Sequence, residues 1–65
     1  MKIFEHVRLV SSKVDCTITF GFYSDLYYVV SAVNGLTVTA NYHRYDIALE
    51  VYRAVLSEGE FEVIL

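Results

Sequence analysis

The sequence predicts an α+β fold: a four-stranded antiparallel β-meander with one helix packed on one face and a short C-terminal fifth strand. Three observations lead to this prediction. Asn34-Gly35 separates two alternating apolar runs, the segment from Val14 to Phe22 alternates strictly, and residues 44–59 change to a helical period. The predicted order is therefore ββββαβ, in a single small domain that spans residues 1–65.

The hairpin of the third and fourth strands is anchored at Asn34-Gly35. Asn-Gly is the strongest short-range hairpin signal, because a type I′ turn needs positive φ at both central residues. A two-residue turn there pairs Val33 with Leu36, and the alternation of side chains fixes every later pair. The predicted pairs are Ala32–Thr37, Ser31–Val38, Val30–Thr39, Val29–Ala40, Tyr28–Asn41 and Tyr27–Tyr42.

The two preceding strands are placed by turns as well. A tight turn around Ser24-Asp25 puts Gly21 opposite Tyr28, where an aromatic ring covers a strand glycine. A turn at Ser11-Ser12 then folds the strand from Lys2 to Val10 back onto the second strand. The predicted pairs are Phe22–Tyr27, Phe20–Val29, Ile18–Ser31, Leu9–Val14, Val7–Cys16, Glu5–Ile18 and Ile3–Phe20, with an Arg8–Asp15 ion pair. Glu5 is a misfit on the core side: at an edge strand it either reaches solvent or is an inward charge that blocks pairing with another edge.

Residues 44–59 predict one amphipathic helix. Its apolar stripe is Ala48, Val51, Tyr52 and Val55, and its polar stripe is Asp46, Glu50, Arg53 and Ser57. We expect the helix to cover the sheet face lined by Val7, Ile18, Phe20, Val29 and Val38 and to stop at Gly59 as the C′ residue. The last segment, EFEVIL, predicts a strand that returns beside the first strand, antiparallel to it, or pairs with a second copy of the chain.

Composition limits the classes of function. The chain is 55% hydrophobic, with six Tyr and four Phe, which is far from a disordered composition. A chain of 65 residues buries about 60% of its unfolded surface, so oligomerisation or partner binding is expected to support it. Cys16 is the single cysteine, and His6, Cys16 and His43 lack zinc spacing. No apolar run approaches the roughly 20 residues of a membrane span. The N-terminus is no signal peptide, so we expect a cytoplasmic protein without a membrane partner.

The face of the sheet away from the helix is the predicted binding surface. A band of Phe4, Leu26, Tyr28 and Val30 is too apolar to lie comfortably in water, and such a patch marks an interaction site. Arg8 and Lys13 are expected at its rim. The sequence therefore predicts a non-enzymatic protein–protein interaction module, a homodimer that acts by occupying the surface of a partner protein.

Two alternatives use the same elements differently. Phe4 and Tyr28, with Lys2, Arg8 and Lys13, are the parts that single-stranded nucleic acid modules use. A net charge of −3 and the neighbouring aliphatic side chains favour a dry protein interface instead. In the second alternative an acidic surface imitates nucleic acid charge toward a basic partner. Its residues are Asp46, Glu50, Glu58, Glu60 and Glu62.

No arrangement of residues predicts catalysis. Cys16 falls on the helix-covered face as a small core hydrophobe, and His6 falls on the opposite face, too far away to act as its base. There is no glycine-rich phosphate loop. We therefore expect no enzyme activity, no cofactor and no metal. A chain of this format is common among small accessory or inhibitor proteins of phages and other mobile elements, which is an analogy of format alone.

Overall fold

The computed structural model describes residues 1–10 and 13–65, so the predicted turn at Ser11-Ser12 lies outside the described residues. The strands of the described part are β1 (Lys2–Leu9), β2 (Cys16–Tyr23), β3 (Leu26–Val33), β4 (Leu36–Tyr42) and β5 (Phe61–Val63), and helix α1 spans Tyr45–Leu56. They form one antiparallel sheet in the order β4-β3-β2-β1-β5. The predicted ββββαβ fold is confirmed. The last strand lies beside β1 and antiparallel to it, which is the first of the two placements predicted for it.

The two tight turns set the register of the central strands as predicted. Asn34 and Gly35 have φ of 50° and 85°, and every predicted pair of β3 with β4 forms, from Val33–Leu36 to Tyr27–Tyr42. Ser24 and Asp25 also have positive φ, 51° and 65°. They bring Gly21 opposite Tyr28, as expected. Short-range turn chemistry therefore determines three of the five strands.

Strand β1 lies two residues away from its predicted position. Val7 is opposite Ile18 instead of Cys16, and Arg8 is opposite Thr17, so the predicted Arg8–Asp15 ion pair does not form. The error arose from the connection, because β1 ends at Leu9 and β2 begins only at Cys16, which is more chain than a two-residue turn needs. A shift of two residues keeps each side chain on its face, and Val7 remains in the core.

A β-bulge in β1 reverses the faces of its first residues. The pairing with β2 shifts between Ile3 and Glu5, so Phe4 is an extra residue. Ile3 therefore pairs with Gly21, on the face away from α1, and Lys2 pairs with Phe22 on the helix side. The ring of Phe4 also lies on the helix side, with its centroid 5.2 Å from that of Phe20. The prediction that Lys2 and Phe4 share the face away from the helix is wrong.

Helix α1 covers one face of the sheet and completes the core. The buried residues are Val7, Ile18, Phe20, Val29, Ala48 and Tyr52, and Cys16 packs against them as predicted. Val38 shares the helix-side face but is 70% exposed, so its predicted place in the core is wrong. The reason is the path of α1, which starts beside Tyr27 and leads to β5 on the far side of β1. That path leaves the β3–β4 turn uncovered.

The ends of α1 are held by local contacts. Asp46 lies in the first turn, where a carboxylate is favourable near the helix dipole, and it pairs with Arg44 at 2.8 Å. At the other end, the Ser57 hydroxyl donates to the carbonyl of Ala54 at 2.6 Å. The prediction of Gly59 as the C′ stop is wrong, because the helix already ends at Leu56 and Gly59 does not adopt positive φ.

Candidate functional site

The face of the sheet away from α1, hereafter the open face, carries an apolar cluster near the β2–β3 turn. We call this cluster the open-face patch; it consists of Met1, Ile3, Tyr23, Leu26, Tyr28 and Val30. Met1 is 62% exposed and Tyr23 is 58% exposed, while Leu26, Tyr28 and Val30 are half-buried. None of these six side chains is charged, so together they form an apolar surface of the kind that marks interaction sites.

Gly21 forms the floor of the open-face patch and makes its geometry possible. A Cβ atom at Gly21 would lie 2.7 Å from the carbonyl oxygen of Lys2 and 2.8 Å from Cε of Met1. The missing side chain therefore allows the bulged start of β1 to approach β2 and lets Met1 lie over the glycine. Tyr28 flanks Gly21 from β3. The patch is thus built by three strands around one position that has no side chain.

The structure brings together part of the predicted binding set. Leu26, Tyr28 and Val30 share the open face, whereas the β-bulge in β1 puts Phe4 on the helix side. Arg8 is on the open face, where its Nη2 pairs with Oε1 of Glu62 on β5 at 2.7 Å. Lys13 is exposed in the connection between β1 and β2.

Sequence reasoning missed Met1 and Ile3 as members of this face. Their position depends on the bulge at Phe4, and the alternation of KIFEHVRL gives no sign of an extra residue. A role in partner binding remains a prediction for every residue of the predicted binding set and of the open-face patch.

The rest of the open face is polar. His6 and Thr19 hydrogen-bond across β1 and β2, with 2.7 Å between Nδ1 and Oγ1. Thr17, Thr37 and Thr39 continue this surface toward the β3–β4 turn. The open face thus has an apolar half and a threonine-rich half. Among residues 1–10 and 13–65, no group of three or more His, Cys, Asp or Glu side chains could hold a metal ion.

A shallow cleft of about 300 Å³ lies on the helix side. Its lining residues are Phe4, Glu5, Phe20, Tyr45, Leu49, Tyr52, Arg53 and Leu56. The Tyr52 hydroxyl donates to Oε1 of Glu5 at 2.6 Å, which gives the inward-facing carboxylate a partner. Burial raises the pKa of Tyr52 well above its usual range, and the hydrogen bond to Glu5 and its negative charge add to the effect. The hydrogen bond from Tyr52 to Glu5 therefore joins α1 to β1, and the phenol of Tyr52 stays protonated.

The two edges of the sheet differ. Strand β4 has seven residues, LTVTANY, without a charged residue or a proline, and Leu36 and Val38 are 76% and 70% exposed. Natural edge strands usually carry charge, proline or a bulge that prevents pairing with another edge. Strand β5 is three residues long and carries Glu62. The β4 edge is therefore the unprotected one.

The predicted acidic surface is partly neutralised within the chain. Asp46 is paired with Arg44 and Glu62 with Arg8, while Glu50, Glu58 and Glu60 are exposed. His43, at the junction of β4 and α1, is exposed as well.

Within the described ranges, no helix is long and apolar enough to cross a membrane. Comparison of the chain with models of protein families, with curated proteins and with solved structures found no match.

Proposed function

We propose that this protein is a non-enzymatic interaction module that binds another protein through the open-face patch and acts by occupying the partner's surface. The observation that carries the proposal is the exposed cluster of apolar side chains around Gly21, with Met1 and Tyr23 more than half exposed. Apolar surface of this kind gains free energy on burial, at roughly 25 cal/mol for each Å² removed from water. The partner surface is expected to be apolar where it meets the side chains of the patch.

The charges around the patch favour a protein over a nucleic acid. Of the five side chains expected to bind a single strand, Phe4 and Lys2 lie on the other side of the sheet. Arg8 is paired with Glu62. This leaves Tyr28 and Lys13 as the remaining members, which is too little positive charge to follow a phosphate backbone. The acidic-mimic alternative is likewise weakened by the pairing of Asp46 and Glu62.

The size of the patch favours a different protein over a second copy of the same patch. Two copies meeting face to face through the patch would bring together six residues from each side, and this contact would gain no backbone hydrogen bonds because the patch lies on a face of the sheet. A larger partner can also enclose the β2–β3 turn, where Ser24 and Asp25 are exposed. We therefore assign the patch to a partner of different sequence.

Photo-crosslinking from two matched tyrosine positions tests the proposal. Benzoylphenylalanine replaces Tyr23 in the open-face patch in one variant and Tyr45 on the helix side in the other, where the side chains are 58% and 47% exposed. Each variant is irradiated in an extract of the cells that produce the protein. We expect a defined protein adduct from position 23 and none from position 45.

Competition establishes that the patch itself is bound. Excess unlabelled wild-type protein should abolish the adduct, whereas excess Tyr28→Asp protein should not, provided that circular dichroism shows a folded chain. Tyr23→Asp is the second competitor, because its exposed side chain allows the change without loss of fold. Equal adducts from both positions, no adduct at all, or an adduct removed by nuclease would each overturn the proposal.

A further inference from the structure

We infer that two copies of this chain associate by antiparallel pairing of their β4 edges, which joins two five-stranded sheets into one sheet of ten strands. The inference is independent of the proposed partner, because it uses a different surface. Its starting point is the unprotected edge: seven uncharged residues, two of them large, apolar and at least 70% exposed. A second copy is the occupant that the sequence of this edge fits.

The backbone of β4 has hydrogen-bonding groups that point away from the sheet. Val33 and Leu36 close the two-residue turn and form a hydrogen-bonded pair with each other. Hydrogen-bonded and non-hydrogen-bonded pairs alternate along an antiparallel ladder. Thr37, Thr39 and Asn41 therefore direct their N–H and C=O groups outward, and a second strand would satisfy them.

One register pairs the whole of β4 with itself. When Thr39 lies opposite the partner's Thr39, each of the seven residues of the strand has a counterpart. The exposed Val38 then meets the partner's Ala40, and Leu36 meets the partner's Tyr42, all on the helix side. On the open face Thr37 meets the partner's Asn41. Apolar residues face apolar residues and polar ones face polar ones, as a two-fold interface requires.

Charges at the ends of β4 agree with this register. It places Arg44 opposite the partner's Asn34. Within each chain Asn34 adjoins Asp15: its N–H donates to the Asp15 carbonyl at 2.8 Å, and its Oδ1 accepts from the Asp15 N–H at 3.2 Å. The ion pairs of the described residues, Arg8–Glu62 and Arg44–Asp46, do not include Asp15. Arg44, which pairs with Asp46 in its own chain at 2.8 Å, would thus lie near the partner's Asp15, an acidic residue without an ion pair among the described residues.

Edge pairing of this kind leaves both open-face patches on the same side of the joined sheet. The two-fold axis is perpendicular to the sheet, so both helices lie on one side of the joined sheet and both patches lie on the other. A partner with two matching surfaces would then meet both patches, and the second contact raises the overall affinity without any new kind of contact.

The test combines molar mass with backbone protection. Light scattering on a sizing column, over a range of loading concentrations, is expected to give twice the mass of one chain. Hydrogen exchange should then show the amides of Thr37, Thr39 and Asn41 becoming protected as concentration rises through the monomer–dimer transition. A monomer at all concentrations up to about 1 mM would overturn the inference. Unprotected amides in a dimer would do so as well.

Two variants separate edge pairing from other contacts. Thr39→Pro removes one outward N–H, which an edge strand tolerates because that group takes no part in the ladder with β3. Val38→Lys adds a charge on the same edge. Both should give monomers with unchanged circular dichroism. Ile47→Lys is the matched control on α1, at 42% exposure, and should stay dimeric.

The open-face variant Tyr28→Asp distinguishes this inference from the proposed function. It should lose the crosslinked partner but keep the dimer mass. The opposite result would overturn the inference. If Tyr28→Asp dissociates the dimer while Val38→Lys and Thr39→Pro leave it intact, self-association uses the open face. Loss of the dimer by the edge variants with retention of the Tyr23 adduct would support both.

Discussion

Both faces of the sheet carry apolar side chains, but these reach different degrees of burial on the two faces. Val29 and Val30 are neighbours on β3 and show the contrast directly. Val29 points toward α1 and is 4% exposed, whereas Val30 points to the open face and is half-buried. The alternation of a strand gives one residue to each face, and a single helix can cover only one of them.

The difference also extends to the polar groups. On the covered face the one inward carboxylate, Glu5, receives a hydrogen bond from Tyr52, so the core contains no buried polar side-chain atom without a partner among the described residues. On the open face apolar atoms of Met1 and Tyr23 remain in contact with solvent. The buried part of the covered face therefore has its polar groups paired within one chain, while the open-face patch keeps apolar side chains exposed.

The largest expected effect is the loss of stability when Val29 is truncated, compared with the same truncation of Val30. Val29→Ala should reduce the free energy of unfolding by about 2–3 kcal/mol, because it removes buried methyl groups and leaves a cavity. Val30→Ala should cost less than about 1 kcal/mol, since its side chain is still in partial contact with water. Urea denaturation of both proteins measures the two values. Equal losses would mean that the open face is buried in solution as deeply as the core.

The next largest loss of stability is expected at Gly21, which forms the floor of the open-face patch. Gly21→Ala should destabilise the fold by about 1–3 kcal/mol, because the new methyl group would meet the Lys2 backbone carbonyl and force the start of β1 to move. Gly59→Ala is the matched control. Its nearest neighbour, at 2.8 Å, is the end of the flexible Leu9 side chain, which can rotate away.

The urea midpoints of both glycine variants provide the comparison, and hydrogen exchange of residues 2–4 shows whether β1 has detached. If Gly21→Ala costs no more than Gly59→Ala, the close approach of the bulge to β2 is not what shapes the patch.

The sequence was sufficient wherever a short turn links two strands. Asn34-Gly35 and Ser24-Asp25 adopt positive φ, and the pairing that they impose is as predicted. The position of β1 was not predictable in the same way, because it follows from the six residues between Leu9 and Cys16 and from a bulge at Phe4. Neither feature changes the apolar alternation on which the prediction depended.

The candidate site was affected by the same bulge. Leu26, Tyr28 and Val30 were placed on the open face because they lie between the two well-defined turns. Phe4 and Ile3 exchanged faces because a shift of one residue inverts a strand. The exposure of Val38 was missed for another reason: the direction in which α1 crosses the sheet depends on where β5 pairs, which is a long-range property.

The smallest expected effect concerns the one polar contact inside the covered face. Tyr52→Phe should cost about 1–2 kcal/mol at pH 7, because Glu5 loses its hydrogen-bond donor. The open cleft beside Glu5 admits water, which keeps the cost at the lower end of this range. Urea denaturation at pH 7 measures the difference, and Tyr45→Phe, a tyrosine in the same cleft, is the control that should change little.

The same pair of proteins gives a distinct dependence on pH. The pKa of Tyr52 is raised in the folded state, so folding holds the phenolic proton more tightly than the unfolded chain does. The stabilisation is fully present below the unfolded pKa of about 10 and is lost as the pH rises above it. The urea midpoint of the wild type should therefore fall more steeply between pH 9 and 11 than that of Tyr52→Phe, narrowing the gap between them. A gap that stays constant across this range would mean that Tyr52 ionises as freely in the fold as in the unfolded chain. The covered face would then be as accessible to water as the open one.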